Sequence, residues 1–143
     1  MNRIVLAASA LAFTATAAFA QVVQERQEIM KERQQIMRTL GPIAQGQAPF
    51  DAAVVLAALE QLNANAERHD AEALYPADSI GGASEAAPEI TANFEEFKAI
   101  DDEYKADVAA ALSAAPADLD AFRAAFGPAA SNCGTCHETF RLD

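Results

Sequence analysis

Both cysteines of this chain lie in one short stretch, Asn132-Cys133-Gly134-Thr135-Cys136-His137. Two thiols separated by two residues and followed at once by an imidazole form the c-type haem attachment pattern. The chemistry accounts for the spacing. Two thiols add across the two vinyl groups of one porphyrin, and the adjacent imidazole reaches the iron. On a helix Cys133 and Cys136 stand three apart and Cys133 and His137 four apart, so all three share one face. A redox dithiol of the thioredoxin kind wants a strand before it and a helix opening at it. Here the pair instead sits near the end of a helical stretch, close to the chain terminus. A structural zinc needs four ligands, and only His69 could join the three. The reading is therefore one haem c, covalent through two thioethers, with His137 as the proximal iron ligand. Arg141, four residues beyond His137, is expected over the same face, where its charge would disfavour oxidised iron and could pair with a propionate.

These residues need elements to position them. Breaks fall at Gly41 to Pro49, at Pro76 to Pro88 and at Pro116. Between them lie four stretches with helical apolar spacing. The first, from about Val22 to Ala44, carries Ile29, Met30, Ile36, Met37, Leu40 and Ile43. Its sequence ERQEIMKERQQIM repeats at seven residues, which is one helical face recurring. The second opens with Asp51 as N-cap, steps through Val55, Leu59, Leu62 and Ala66, and fades near Leu74-Tyr75-Pro76. The third begins near Pro88, which suits a first turn, and runs through Phe94, Phe97, Tyr104, Val108 and Leu112. The fourth follows Pro116 with Asp118 as cap and ends in the haem motif. Pro128 inside it is expected to bend or shorten it. No alternating strand pattern and no hairpin signal occur. The expected fold is all-α, an antiparallel up-down-up-down four-helix bundle.

That topology bears on the sixth iron ligand. The last helix would run antiparallel to the first, which places its end beside the beginning of helix one. Met30 lies about two turns into helix one, and Met37 is roughly 10 Å further along. Met30 is thus the better-placed sulfur. His69 competes, because it continues the second helix's apolar stripe at the same end of the bundle. A Met/His pair gives low-spin iron, a raised potential and electron transfer. An open sixth position in an apolar pocket gives a haem that binds small gases.

Residues 1–20, MNRIVLAASALAFTATAAFA, read as a signal peptide: Arg3, an apolar middle and a small-x-small close at Ala18-Phe19-Ala20. Cleavage after Ala20 would leave residues 21–143 as one haem domain, exported to a periplasm, with no segment left to insert in a membrane. The full chain has 143 residues, 52% hydrophobic, long enough for one core. Ten basic residues against 21 acidic ones give a formal charge of −11, which argues against nucleic-acid or anionic-membrane binding. An acidic carrier would meet redox partner proteins through a basic docking patch on the partner.

The C-terminal Cys133-Gly134-Thr135-Cys136-His137-Glu138-Thr139-Phe140-Arg141 resembles the class II c-type cytochromes, meaning cytochrome c′ and its low-spin, Met-ligated relatives. Further similarity runs through Arg26-Gln27, Gly46-Gln47-Ala48-Pro49-Phe50-Asp51-Ala52, Leu74-Tyr75-Pro76, Pro88-Glu89-Ile90, and Asp118-Leu119 to Ala124-Ala125-Phe126-Gly127. It covers almost all of residues 22–143. The resemblance implies a four-helix bundle with Arg26 near a haem propionate and Met30 over the iron. It also implies a homodimer through helices one and two. Thr91 stands where many relatives have Trp, at a position the iron chemistry does not need.

Three functions follow from this reading. The first is a periplasmic carrier of one electron with His137 and Met30 axial. The second is a cytochrome c′-like protein that binds NO or CO at an open sixth position. The third, a peroxidase, would want an acid/base His or Arg near the iron, for which only His69 or Arg33 could serve. The expectation is an electron carrier and no enzyme.

Overall fold

A computed structural model describes residues 8–82 and 84–142, with side chains from Phe19 onward. Four long helices carry the described chain: α1 (Ala8–Ala44), α2 (Ala52–Glu67), α5 (Phe94–Ser113) and α6 (Leu119–Phe140). Two single turns, α3 (Ala71–Leu74) and α4 (Glu89–Ala92), and a 3-10 turn over Ala77–Ser79 link α2 to α5. The long helices pack as a closed ring, α1 on α2, α2 on α5, α5 on α6 and α6 on α1. Cross-bonds give the directions. Arg33 on α1 bonds Asn65 on α2, while Arg26, earlier in α1, reaches Leu74 beyond the end of α2. At the other end Arg123, early in α6, donates to the carbonyl of Ala44, the last residue of α1 (2.6 Å). Neighbouring helices are antiparallel, and the fold is the expected four-helix bundle.

The apolar stripes read from the sequence form the core. Ile29, Leu40, Val55, Leu59, Val108 and Phe122 are fully buried. The core has two parts. The larger joins Ile36, Leu40, Leu59, Leu62, Val108 and Phe126 along the bundle, and the smaller joins Ala71, Ala86, Ile90, Phe97 and Phe140 at one end. Cys133 packs against the first and Cys136 against the second. The haem motif therefore straddles the seam between two apolar clusters.

Helix ends follow local chemistry. Asp51 accepts from the amides of Ala53 and Val54, and Asp118 from that of Ala121, as N-caps do. α1 ends in a turn whose Gly46 has φ +73°, and a Cβ there would sit 2.9 Å from Arg123 Nη2. The backbone angle calls for glycine, whereas the guanidinium, the far end of a flexible side chain, could give way.

Several boundaries differ from the sequence reading. The second helix does not run on to Leu74; it stops at Glu67, and Asp70 caps a separate turn. His69 lies in the break and is buried against another helix, which overrides helical continuity. The third stretch is divided at Asn93, whose φ of −129° leaves the helical region. α6 passes unbroken through Pro128, so that proline costs one backbone bond without ending the helix. α1 likewise contains Pro42 in its last turn. Of the predicted leader, residues 1–7 lie outside the described residues, and Ala8–Ala20 are helical and continuous with α1.

The chain end is also tied down. The Ala87 amide donates to the Phe140 carbonyl (3.0 Å) and the Leu142 amide to the Glu85 carbonyl (2.8 Å), around an antiparallel bridge between Ala86 and Arg141. The α3–α4 connection is thereby laced to the end of the helix that bears the haem motif.

Candidate haem site

Between the two core clusters lies a cavity of about 710 Å³, walled by α1, α6, the start of α5 and the α3–α4 connection. Its volume falls in the range of cofactor pockets. All six residues singled out from the sequence line it: Cys133, Cys136, His137, Met30, Arg26 and Arg141. Met37, Arg33, His69 and Tyr75 line it as well.

α6 presents the attachment chemistry. Cys133 and Cys136 are free thiols on the helix and form no disulfide. Burial raises both thiol pKa values, that of Cys136 to about 11, with Asp101 adding to the rise and Arg33 opposing it. A redox dithiol of the thioredoxin kind needs the opposite shift. Among the described residues no three His, Cys, Asp or Glu side chains group as a metal site. His137 has a lowered pKa, first from burial and then from the positive charges of Arg141 and Arg33. A neutral imidazole is the form that binds a metal.

α1 presents the facing wall. Met30 and Met37 are both half-buried on it. The Arg123–Ala44 bond registers the two helices. Met30 lies fourteen residues before Ala44, and His137 fourteen after Arg123. Travelling equal lengths back along α1 and forward along α6 therefore ends at Met30 and His137. Met37 is two turns short of that level.

His69 is not free to ligate iron. It is only 3% exposed, with Nδ1–H donating to Asp101 Oδ1 (2.7 Å) and Nε2 lying 3.0 Å from the Tyr75 hydroxyl. Asp101 also pairs with Lys105 Nζ through Oδ2 (2.7 Å). With both ring nitrogens engaged, the competing-ligand reading of His69 is corrected to a structural one. The apolar stripe that suggested it reflects burial alone.

Arg26 is almost wholly buried and clamps the α3–α4 connection. Nη1 donates to the Leu74 carbonyl (3.2 Å) and the Ser79 hydroxyl (3.1 Å), and Nη2 to the Ser79 carbonyl (2.8 Å) and the Ser84 hydroxyl (3.2 Å). Its guanidinium carbon stands 4.8 Å from the Tyr75 ring centroid. Nε remains buried without a partner among the described residues. Arg141 is not helical as expected: α6 ends at Phe140, and Arg141 is extended, with Nε 3.3 Å from Glu85 Oε2. The bridge to Ala86 holds it there, beside the cavity rather than one turn above His137.

The sequence reading gives Tyr75 and Asp101 no part in the site and names Arg33 only as an acid/base candidate for the peroxidase alternative. A signal for Arg33 was present. Arg26, Met30, Arg33 and Met37 recur every three or four residues, one position away from the core stripe of Ile29, Ile36 and Ile43.

The donor set fits a c-type haem. Two adjacent thiols suit thioether links, a neutral imidazole and a thioether sulfur suit iron, and Ile90, Phe97 and Phe140 suit an apolar macrocycle. The buried Nε of Arg26, which no described residue accepts from, suits one of the two carboxylates a haem carries.

Comparison with known proteins agrees. The family model described as Cytochrome C′ matches residues 21–141. Cytochrome c-556 of Rhodopseudomonas palustris is 38% identical over 152 residues, covering 99% of this chain and 97% of that protein. The solved cytochrome c′ from Rhodobacter Spheriodes has a TM-score of 0.79 at 26% identity, covering 87% of this chain and 98% of its own. A nitric oxide complex of a mutant cytochrome c prime from Alcaligenes xylosoxidans has a TM-score of 0.75 at 30% identity, covering 87% and 97%. From its haem motif, its bundle and these relatives, the chain belongs to the cytochrome c′ family, the class II c-type cytochromes, whose members carry covalently bound haem c.

Proposed function

We propose that this cytochrome is a periplasmic carrier of single electrons, with Cys133 and Cys136 holding the haem and His137 and Met30 as its axial ligands. The observation that carries the reading is the register that brings Met30 on α1 level with His137 on α6, in one cavity. His69, the other candidate, is committed to Asp101 and Tyr75. When bound, the haem supplies a one-electron couple whose potential a thioether ligand raises. The chain's own residues hold and shield it. Phe97, Phe140 and Ile90 exclude water from one wall, and the Arg26 clamp fixes the connection that closes another. As a sixth ligand, Met30 would occupy the position that a small gas needs. The N-terminal leader supports export, and no described helix is long and apolar enough to cross a membrane.

Visible spectroscopy of the haem-loaded protein tests the ligand pair. The unmutated protein is expected to be low-spin with a sulfur-to-iron band in the ferric state, and Met30→Ala to lose that band and turn high-spin. Unchanged spectra in Met30→Ala would remove Met30 from the iron. A second reading, gas binding, is favoured by the neighbour crystallised as a nitric oxide complex. Ready formation of a CO complex by the unmutated ferrous protein would select it over electron transfer.

A further inference from the structure

We propose that Arg33 is a potential-setting residue, a fixed positive charge in the cavity wall that favours the reduced haem iron. The inference rests on the cavity being the haem site and not on the axial role of Met30.

Arg33 stands between Met30 and Met37 on the cavity face of α1. It is held in place from two sides. Nε donates to Asn65 Oδ1 (2.9 Å), and Asn65 is itself 1% exposed and anchored to the Ile29 carbonyl and Glu32. The guanidinium carbon lies 4.4 Å from the Tyr104 ring centroid, a cation–π arrangement that favours the charge without cancelling it. Nη2 is buried with no partner among the described residues. Among the described residues no ion pair includes Arg33. Of the two acids on the same cavity, Asp101 is spent on His69 and Lys105, and Glu85 faces Arg141.

The other arginines differ. Arg26 is saturated at both Nη atoms by the loop it clamps, and Arg141 faces Glu85 in the open. Arg33 is thus the cavity cation with neither a carboxylate nor full solvent to offset it. Its charge is felt across the site, acting on Cys133, Cys136 and His137 alike. Reduction removes one unit of positive charge from the iron, so a nearby fixed cation favours it. At an effective dielectric of about 20 a unit charge at cavity distances changes such an equilibrium on the order of tenfold.

The test is a spectroelectrochemical titration of the haem-loaded protein and its Arg33→Gln and Arg33→Lys variants, at low and high salt. Arg33→Gln is expected to move the reduction equilibrium about tenfold toward the oxidised form, which is about 59 mV for one electron. Arg33→Lys is expected to keep most of the original potential. The difference should survive high salt, because buried charges are weakly screened. Equal potentials in Arg33→Gln and the unmutated protein would overturn the proposal, as would an equal fall in both variants, which would show packing rather than charge. Should Arg33→Gln not retain haem, Arg33→Met keeps an apolar stem over Tyr104 and is read the same way. The proposed Met30 ligation fails by a different sign, a high-spin spectrum in the unmutated protein, which leaves the Arg33 comparison intact.

Discussion

Two side chains converge on the carboxylate of Asp101: His69 Nδ1 and Lys105 Nζ pair with its two oxygens, each at 2.7 Å, and Tyr75 extends the chain through His69. Burial alone would push this carboxyl up, but the bond and charge of His69 and then those of Lys105 outweigh it and hold the group below its ordinary value of 3.8. The folded protein therefore resists protonating Asp101 more than the unfolded chain does. Its contribution to stability is complete above the unfolded pKa and is lost as pH falls through the lower folded one. Denaturant titrations of the haem-loaded protein between pH 6 and pH 2 measure this. Asp101→Asn is expected to cost about 3 kcal/mol at neutral pH, since it strands a buried ion-pair partner, and to flatten the acid limb of the stability curve. An acid limb of the same slope in both proteins would refute the assignment. The network also shows what single residues withheld. The haem motif was legible because its chemistry is local, with three residues on one helical turn. His69 was not, because its role depends on Asp101, which lies on another helix and thirty-two positions away.

Helices were legible to the extent that they are amphipathic. The stripes of α1, α2, α5 and α6 became the core, and the caps at Asp51 and Asp118 form as read. The breaks at residues 68–70 and at Asn93 were hidden, since no Gly or Pro marks them, and the first is held by the tertiary contacts of His69. α5 stops at a different kind of signal: Ala115 takes φ +41°, an unusual angle for a residue with a Cβ, directly before Pro116. The most consequential element is the short lacing of the chain end to the α3–α4 connection. Phe140, 2% exposed, packs edge-on against Phe97 at 5.3 Å, and its carbonyl takes the Ala87 amide. Cys136 lies one turn before it on the same helix face. Phe140→Ala is expected to cost about 3 kcal/mol, the lower end for a buried phenylalanine. Asp118→Ala, at the opposite end of α6, should cost about 1 kcal/mol for the lost cap. Thermal unfolding of the two variants side by side tests the order. If the cap variant is the less stable, the chain end is a frayed terminus and not part of the core.

At the scale of the molecule, the charge is distributed unevenly. The chain carries a formal charge of −11, which would become −12 if Arg3 left with the leader expected from the sequence. Yet Arg26, Lys31, Arg33 and Arg141, four of its ten basic residues, line the candidate haem cavity. The far field is acidic while the near field at the haem site is basic. These two fields predict different salt responses. A cationic redox partner approaching from a distance is steered by the net charge, so its second-order rate should fall as ionic strength rises from 0.01 M, where the screening length is about 30 Å, to 0.1 M, where it is about 10 Å. A small anionic reductant that enters the cavity mouth should be governed more by Lys31 and Arg141. Lys31→Gln is then expected to slow the anion several-fold while leaving the cationic protein nearly unaffected, since one charge in twelve alters the far field little. Stopped-flow reduction by a cationic cytochrome and by a small anionic dye, each across that salt range, gives both slopes. A rate with the cationic partner that rises with salt would mean that docking is decided at the basic cavity mouth, and the acidic surface would then have no steering role.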